Sequence, residues 1–165
     1  MRWAGIFVAA VIGAGCGENK GFTELRMLVE SDLGPQDQVN ILRVSPLDQL
    51  GMGIGREHPS FPLVVTLSPG GPLRAFGLNV QLLPDAAGQV ILLSRNVRDL
   101  AFVEGQQRMF VLPLLARCKC QGTACPDPGD PDCDELSAPV LAPLDERTNR
   151  EPDLTFSPPP LPVTP

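Results

Sequence analysis

The chain has 165 residues, 43% hydrophobic and 19% charged, with a formal net charge of −6. That length fits one domain plus a tail rather than several domains. The lack of any basic excess excludes the electrostatic footprint of a nucleic-acid binder, so no nucleic acid is expected as a partner.

The N-terminus has the three parts of an export signal. Arg2 supplies the positive charge, and Ile6, Phe7, Val8, Ala9, Ala10, Val11 and Ile12 form the apolar run. Gly13-Ala14-Gly15 offers narrow side chains to a protease, immediately before Cys16. The apolar run is far shorter than the ~20 residues of a spanning helix. Residues 1–15 therefore read as a signal peptide, with Cys16 acylated and first in the mature chain. The segment resembles a bacterial lipobox, with Gly13 where Leu usually stands and Ile12 one residue further back. Residues 16–21 form a polar tether. Gly17 replaces the Asp that would retain such a protein in the inner membrane, so the expected address is the outer membrane or the cell surface. A lipidated cysteine carries palmitate-type chains, more than one of them, and its anchoring is stable.

Residues 22–117 read as a β-sandwich, because their apolar residues recur with period two. Thr23, Leu25, Met27 and Val29 share one strand face, opposite Glu24, Arg26 and Glu30. Val39 and Ile41 begin a second strand near Val44. Gly51, Gly53 and Gly55 mark a long loop from Ser45 to Ser60 that has room for a short edge strand. Phe61 to Leu67 brings Leu63, Val65 and Leu67 together. In the run from Leu73 to Leu83, Phe76, Leu78, Val80 and Leu82 face one way. Val90 to Leu93 is apolar on both faces and is expected at the centre of a sheet. Arg108 to Leu115 sets Met109 and Val111 against Phe110 and Leu112. Gly34-Pro35, Ser68-Pro69-Gly70-Gly71-Pro72 and Pro84-Asp85-Ala86-Ala87-Gly88 are turn signals between these runs. The expected fold is all-β: an antiparallel sandwich of six to eight short strands, of immunoglobulin or fibronectin-III type.

Residues 118–136 form a cysteine-rich knot. Its members are Cys118, Cys120, Cys125 and Cys133. With Cys16 lipidated, four cysteines remain, an even number suited to two disulfides outside the cytosol. Their spacing is not that of a zinc ribbon or finger, and export disfavours free thiolates, so disulfides are expected before a zinc-binding module. One intervening residue strains a Cys118–Cys120 bridge. Two pairings stay open: Cys118–Cys125 with Cys120–Cys133, or Cys118–Cys133 with Cys120–Cys125.

Asp130, Asp132 and Asp134 open like a calcium loop, but Glu135 stands where Gly is needed and Leu141 where the bidentate Glu belongs. A solvated acidic spacer is the expectation, with no metal and no cofactor. From Pro126 onward there are nine acidic and two basic side chains, a balance of −7, and eleven of the nineteen prolines. Residues 137–165 are therefore expected to be a disordered, extended tail.

The stretch from Leu25 through Ser31-Asp32-Leu33, Phe102-Val103-Glu104-Gly105-Gln106 and Leu114-Leu115-Ala116-Arg117-Cys118 resembles uncharacterised lipoproteins of myxobacterial type. The resemblance implies an export signal, a β-sandwich and a cysteine knot. It implies no activity.

His58 is the only histidine and sits in a polar loop. No nucleophile elbow, P-loop or zinc-protease motif occurs. The only Trp lies in the signal and there is no Tyr, so a sugar cleft is poorly supplied. The expected function is that of a non-enzymatic envelope protein, lipid-anchored through Cys16, which binds or braces another envelope component. The alternatives are a carboxylate-based extracytoplasmic hydrolase and a zinc-binding cysteine module. No small-molecule ligand is specified.

Overall fold

The computed structural model describes residues 22–50, 52–120 and 130–158. The expected signal peptide, the tether with Cys16, and Cys125 lie outside these residues. Among the described residues ten strands follow one another: β1 (Glu24–Ser31), β2 (Ile41–Pro46), β3 (Ile54–Glu57), β4 (Leu63–Leu67), β5 (Phe76–Leu83), β6 (Leu93–Leu100), β7 (Gln107–Leu114), β8 (Leu136–Ser137), β9 (Ala142–Pro143) and β10 (Leu154–Phe156). They build two five-stranded sheets. Sheet A has the order β10-β4-β1-β7-β9, and sheet B the order β3-β2-β5-β6-β8.

The alternation seen in the sequence sets the core. Leu25, Met27 and Val29 of β1 and Leu63, Val65 and Leu67 of β4 belong to the main buried cluster. So do Phe110, Leu112 and Leu114 of β7, and Leu42, Val44, Leu78, Val80 and Leu82 of sheet B. Period-two strands put every second side chain on one face, so two such sheets bury their apolar faces against each other. Each fully buried Leu or Val contributes roughly 1.5–3 kcal/mol.

The sheets are mixed rather than antiparallel, which corrects the sequence expectation. β1 runs parallel to β7 along its whole length, from Glu24 beside Gln107 to Ser31 beside Leu114. β10 is parallel to β4 and β8 to β6. Side-chain alternation is the same in both directions, so it carries no sign of strand polarity. The short β6–β7 connection looks like a hairpin loop in sequence, yet it crosses to the opposite sheet.

Two strand limits also shift. Val90 to Leu93 is not a central strand: β6 begins at Leu93, and Val90 is 49% exposed in the preceding bend. β5 begins at Phe76 rather than Leu73, which lies exposed in the connection.

The expected disordered tail is the largest correction. Within 137–158 the chain supplies β9, β10 and half of β8, and Thr148 and Phe156 are buried. The reason lies on the outer face of sheet A. Leu28, Val64 and Met109 point away from the main core and form a second buried cluster, with Val111 and Leu144 packed on it. Bare, that face would leave apolar area in water. The tail covers it, and the sandwich extends from β1 to β10 instead of stopping at residue 117.

Polar contacts hold the cover in place. Arg26 on β1 donates through Nη1 to the carbonyls of Thr148 and Arg150. Asp153 accepts the Val64 backbone N–H at 2.8 Å, and the Asp153 N–H returns to the Val64 carbonyl at 2.9 Å. Proline does not prevent this arrangement, because edge strands tolerate a missing donor.

Candidate functional site

Two constellations stand out, both at ends of strands β5 and β6. The first is a cleft of about 460 Å³ lined by Pro46, Leu47, Asp48, Ala75, Phe76, Gly77, Arg98, Asp99 and Pro158. Its shape comes from a β-bulge. Phe76 pairs with Leu100 and Leu78 with Val97, so Arg98 and Asp99 together oppose Gly77. Asp99 takes the left-handed backbone (φ 56°) that such a bulge imposes. Bulges re-aim side chains, and here both Arg98 and Asp99 line the cleft.

Gly77 is needed for the floor. A Cβ there would lie 3.0 Å from Leu47 Cδ2 and 3.2 Å from the Val97 carbonyl oxygen, so the bare backbone lets Leu47 pack across the strand. Phe76 stacks on Phe102 with ring centroids 5.0 Å apart. The floor is therefore apolar. At the rim, Arg98 is ion-paired with Glu135. Asp48 and Asp99 are exposed, and among the described residues neither carboxylate has a hydrogen bond or ion pair. The net charge offered to a ligand is thus negative.

The second constellation ties the knot to the sandwich. Cys118 and Cys133 form a disulfide, with Cα atoms 5.3 Å apart. Cys120 is also disulfide-bonded. The Cys118–Cys133 bridge belongs to the second of the two expected pairings; Cys125 lies outside the described residues. It also takes two thiols from the set that a four-cysteine zinc site would need, and the zinc-module alternative falls with it.

Arg95 anchors the knot from inside. It follows Leu93 and precedes Val97 on the inward face of β6, and its side chain is buried. Nη1 donates to the Pro113 carbonyl on β7 at 2.7 Å, and Nε to the Asp134 carbonyl at 2.9 Å. One guanidinium thus joins sheet B, sheet A and the turn after Asp130. Burial draws the Arg95 pKa below the ordinary guanidinium value, while Asp132, Asp134 and Asp130 nearby oppose that drift. The group stays charged, as guanidinium does in proteins.

Of the three aspartates expected as a solvated spacer, Asp130 and Asp132 keep exposed side chains that pair with Arg117. Asp130 Oδ1 accepts the Asp132 backbone N–H at 3.0 Å. Arg117 reaches both Asp130 and Asp132. The Asp132 amide, with help from Arg117, holds the Asp130 carboxyl below the usual range. Lys119 pairs with Asp37 at 2.9 Å and lowers the Asp37 pKa in the same way. In the calcium-like run, Arg117 takes one carboxylate oxygen of Asp130 and one of Asp132.

Of the remaining sequence candidates, His58 is exposed just beyond β3, donates its backbone N–H to the Asn40 carbonyl, and does not line the cleft. No helix among the described residues is long and apolar enough to cross a membrane. Comparison with known proteins gives no relative: no protein-family model, no curated protein and no solved structure matches the chain.

Sequence reasoning missed both Arg95 and the cleft. Arg95 had a signal, since a charge standing between Leu93 and Val97 breaks an inward apolar row. Asp48 and Asp99 had none, because a bulge brings Asp99 beside a turn about fifty positions away in the chain.

Proposed function

We propose that this protein is a lipid-anchored, non-enzymatic binding module of the cell envelope, tethered through Cys16. Its contact with another envelope protein is the cleft between the turn at Asp48 and the bulge at Asp99. The observation that carries this reading is the pairing of an apolar floor, Leu47 and Phe76, with two carboxylates that have no partner among the described residues. Such a cleft fits a basic side chain whose aliphatic stem lies on the floor and whose charge reaches the rim. The export signal and the oxidised knot supply the expected address, at the outer membrane or the cell surface.

The finer fold reading is a Greek key of immunoglobulin or fibronectin type. Its support is the set of partners: β1 with β4, β2 with β5, β5 with β6, and β2 with β3. In a variable-type domain these are strands B and E, C and F, F and G, and C and C′. On that reading β7 fills the place of strand A, parallel to its neighbour instead of antiparallel, and β10 fills that of strand D. The cleft then lies where the C–C′ and E–F connections meet.

A photo-crosslinking residue placed at Ala75 in the native host tests the contact. A discrete protein adduct that weakens in the Asp48→Asn/Asp99→Asn variant is expected. An adduct of equal strength in that variant would contradict the role of the carboxylates.

One observation favours a second reading. Two carboxylates on one cleft are also the minimum for a hydrolase. Both are exposed, whereas a general acid needs a desolvated carboxyl. Hydrolysis of glycoside or ester substrates that vanishes in the same double variant would establish this alternative.

A further inference from the structure

Both sheets end together where β1 begins. In sheet A, Glu24 lies beside Gln107 and Leu25 beside Leu67. In sheet B, Phe76 lies beside Leu100, Pro46 beside Leu78 and Val44 beside Ile54. The connections 68–75 and 101–106 join the two sheets across this end.

Exposed apolar side chains gather there. Phe22, 81% exposed, stands two residues before β1. Leu50 and Met52 lie between β2 and β3, Leu73 between β4 and β5, and Val103 between β6 and β7. Of the large apolar residues exposed among the described residues, only Val90 and Val140 lie elsewhere. Val90 belongs to the opposite end, and Val140 to the stretch between β8 and β9. The opposite end carries ion pairs instead: Asp37 with Lys119, and Arg117 with Asp130 and Asp132. Apolar residues scattered singly need no explanation, but a cluster at one end marks an interaction surface.

We propose that this end of the sandwich lies on the lipid bilayer, with Phe22, Leu73 and Val103 set into its headgroup layer. The inference rests on the reading of Cys16 as the lipid anchor. Six residue steps separate Cys16 from Phe22 and span at most about 22 Å. β1 alone, with eight residues, is about 26 Å long. An anchor at Cys16 is therefore too short for the opposite end to face the membrane. The broad faces are no alternative. The tail covers the outer face of sheet A, and the outer face of sheet B presents Arg43, Gln81 and Ser94 side by side. Only the end where the chain emerges is both within reach and apolar.

Asp48, Asp99 and Glu104 outnumber Arg74 at this end, so a zwitterionic surface fits it and an anionic one does not. Insertion to about 5–10 Å keeps these charges at the level of the headgroups. The anchor holds the end at high local concentration, so weak docking suffices. The cleft opens at the same end, and its partner therefore meets it at the bilayer surface.

Tryptophan emission tests the proposal, because Trp3 is the only native Trp and precedes Cys16. The chain from Cys16 onward is coupled through that thiol to a maleimide phospholipid in phosphatidylcholine vesicles. Supplying the anchor separates this test from native acylation, which the mass of the native protein decides. Val103→Trp should shift to the blue on anchoring, and lipids brominated near the headgroup should quench it about twofold. Val90→Trp, exposed at the opposite end, should show neither. Phe22→Ser/Leu73→Ser added to Val103→Trp should lose most of the shift, with an unchanged thermal midpoint because both side chains are exposed. The shift should survive high salt, since no charge attraction drives it. Emission at position 103 that stays unshifted on the anchored chain, or quenching equal at positions 103 and 90, would overturn the proposal. A shift that comes only when envelope proteins are added would assign the surface to a protein instead.

Discussion

The hydroxyl of Thr148 donates to the sulfur of Met109 at 3.3 Å, inside a pocket closed to solvent. Met109 lies on the outer face of β7, and Thr148 belongs to a segment rich in acid and proline. The same hydroxyl lies 3.1 Å from Asp145 Oδ1, which accepts the Thr148 backbone N–H at the same distance. Partial desolvation opposes ionisation of Asp145, but Arg147 and Thr148 outweigh it and hold the carboxyl below its ordinary range. A short turn thus plugs the outer face of sheet A.

Removal of residues 139–165 should therefore destabilise the protein strongly. It uncovers Leu28, Val64 and Met109, and a loss on the order of 5 kcal/mol is expected from the apolar area alone. Chemical denaturation of the truncated chain checks this. A midpoint unchanged from the full chain would mean that the segment does not pack.

Arg95→Met keeps the apolar volume of the side chain but removes every donor. The carbonyls of Pro113 and Asp134 then lose their partner in a buried setting. A loss of about 2–4 kcal/mol is expected. Hydrogen exchange should also quicken at Cys133 and Asp134, whose amides bond to the Asp130 carbonyl. Exchange that stays slow there would show that the turn stands without its arginine.

Strand existence was readable because each inward row is nearly pure: Leu25, Met27 and Val29, or Leu78, Val80 and Leu82. Their positions in the core follow from period two alone. Strand direction was not readable, because Glu24–Ser31 would look the same beside a parallel or an antiparallel neighbour. The tail misled for a different reason. Its charge and proline content describe its solvent side, while its cover of Met109 depends on a few residues, Leu144 and Thr148 among them. In the site, the cysteines were legible as a disulfide knot but not their pairing, since Cys118 could reach Cys125 or Cys133, and the cleft at Asp48 and Asp99 exists only after β5 and β6 have formed their bulge.

Disulfide mapping of the native protein should give Cys118–Cys133 and Cys120–Cys125. The first bridge closes a span of 15 residues. Its loss in Cys118→Ser/Cys133→Ser should cost about 3 kcal/mol. Recovery of a Cys118–Cys125 peptide would contradict the observed bridge.

Acid should weaken the fold. Asp37, Asp130 and Asp145 are all held below the ordinary carboxylate range in the folded chain. A depressed carboxyl contributes stability above its unfolded pKa of about 3.9, and that stability fades as pH falls through the folded value. The thermal midpoint should drop increasingly steeply below about pH 4, and less steeply in Asp130→Asn. A midpoint that rises on acidification would reverse the sign of these shifts.

Intact-mass spectrometry of the protein from its native membrane fraction tests the whole account most directly. The expected species begins at Cys16, carries the added mass of its acyl chains, and has its four other cysteines oxidised. A species that retains Met1, carries no acyl mass and has free thiols would contradict both the anchor and the envelope setting on which the binding role rests.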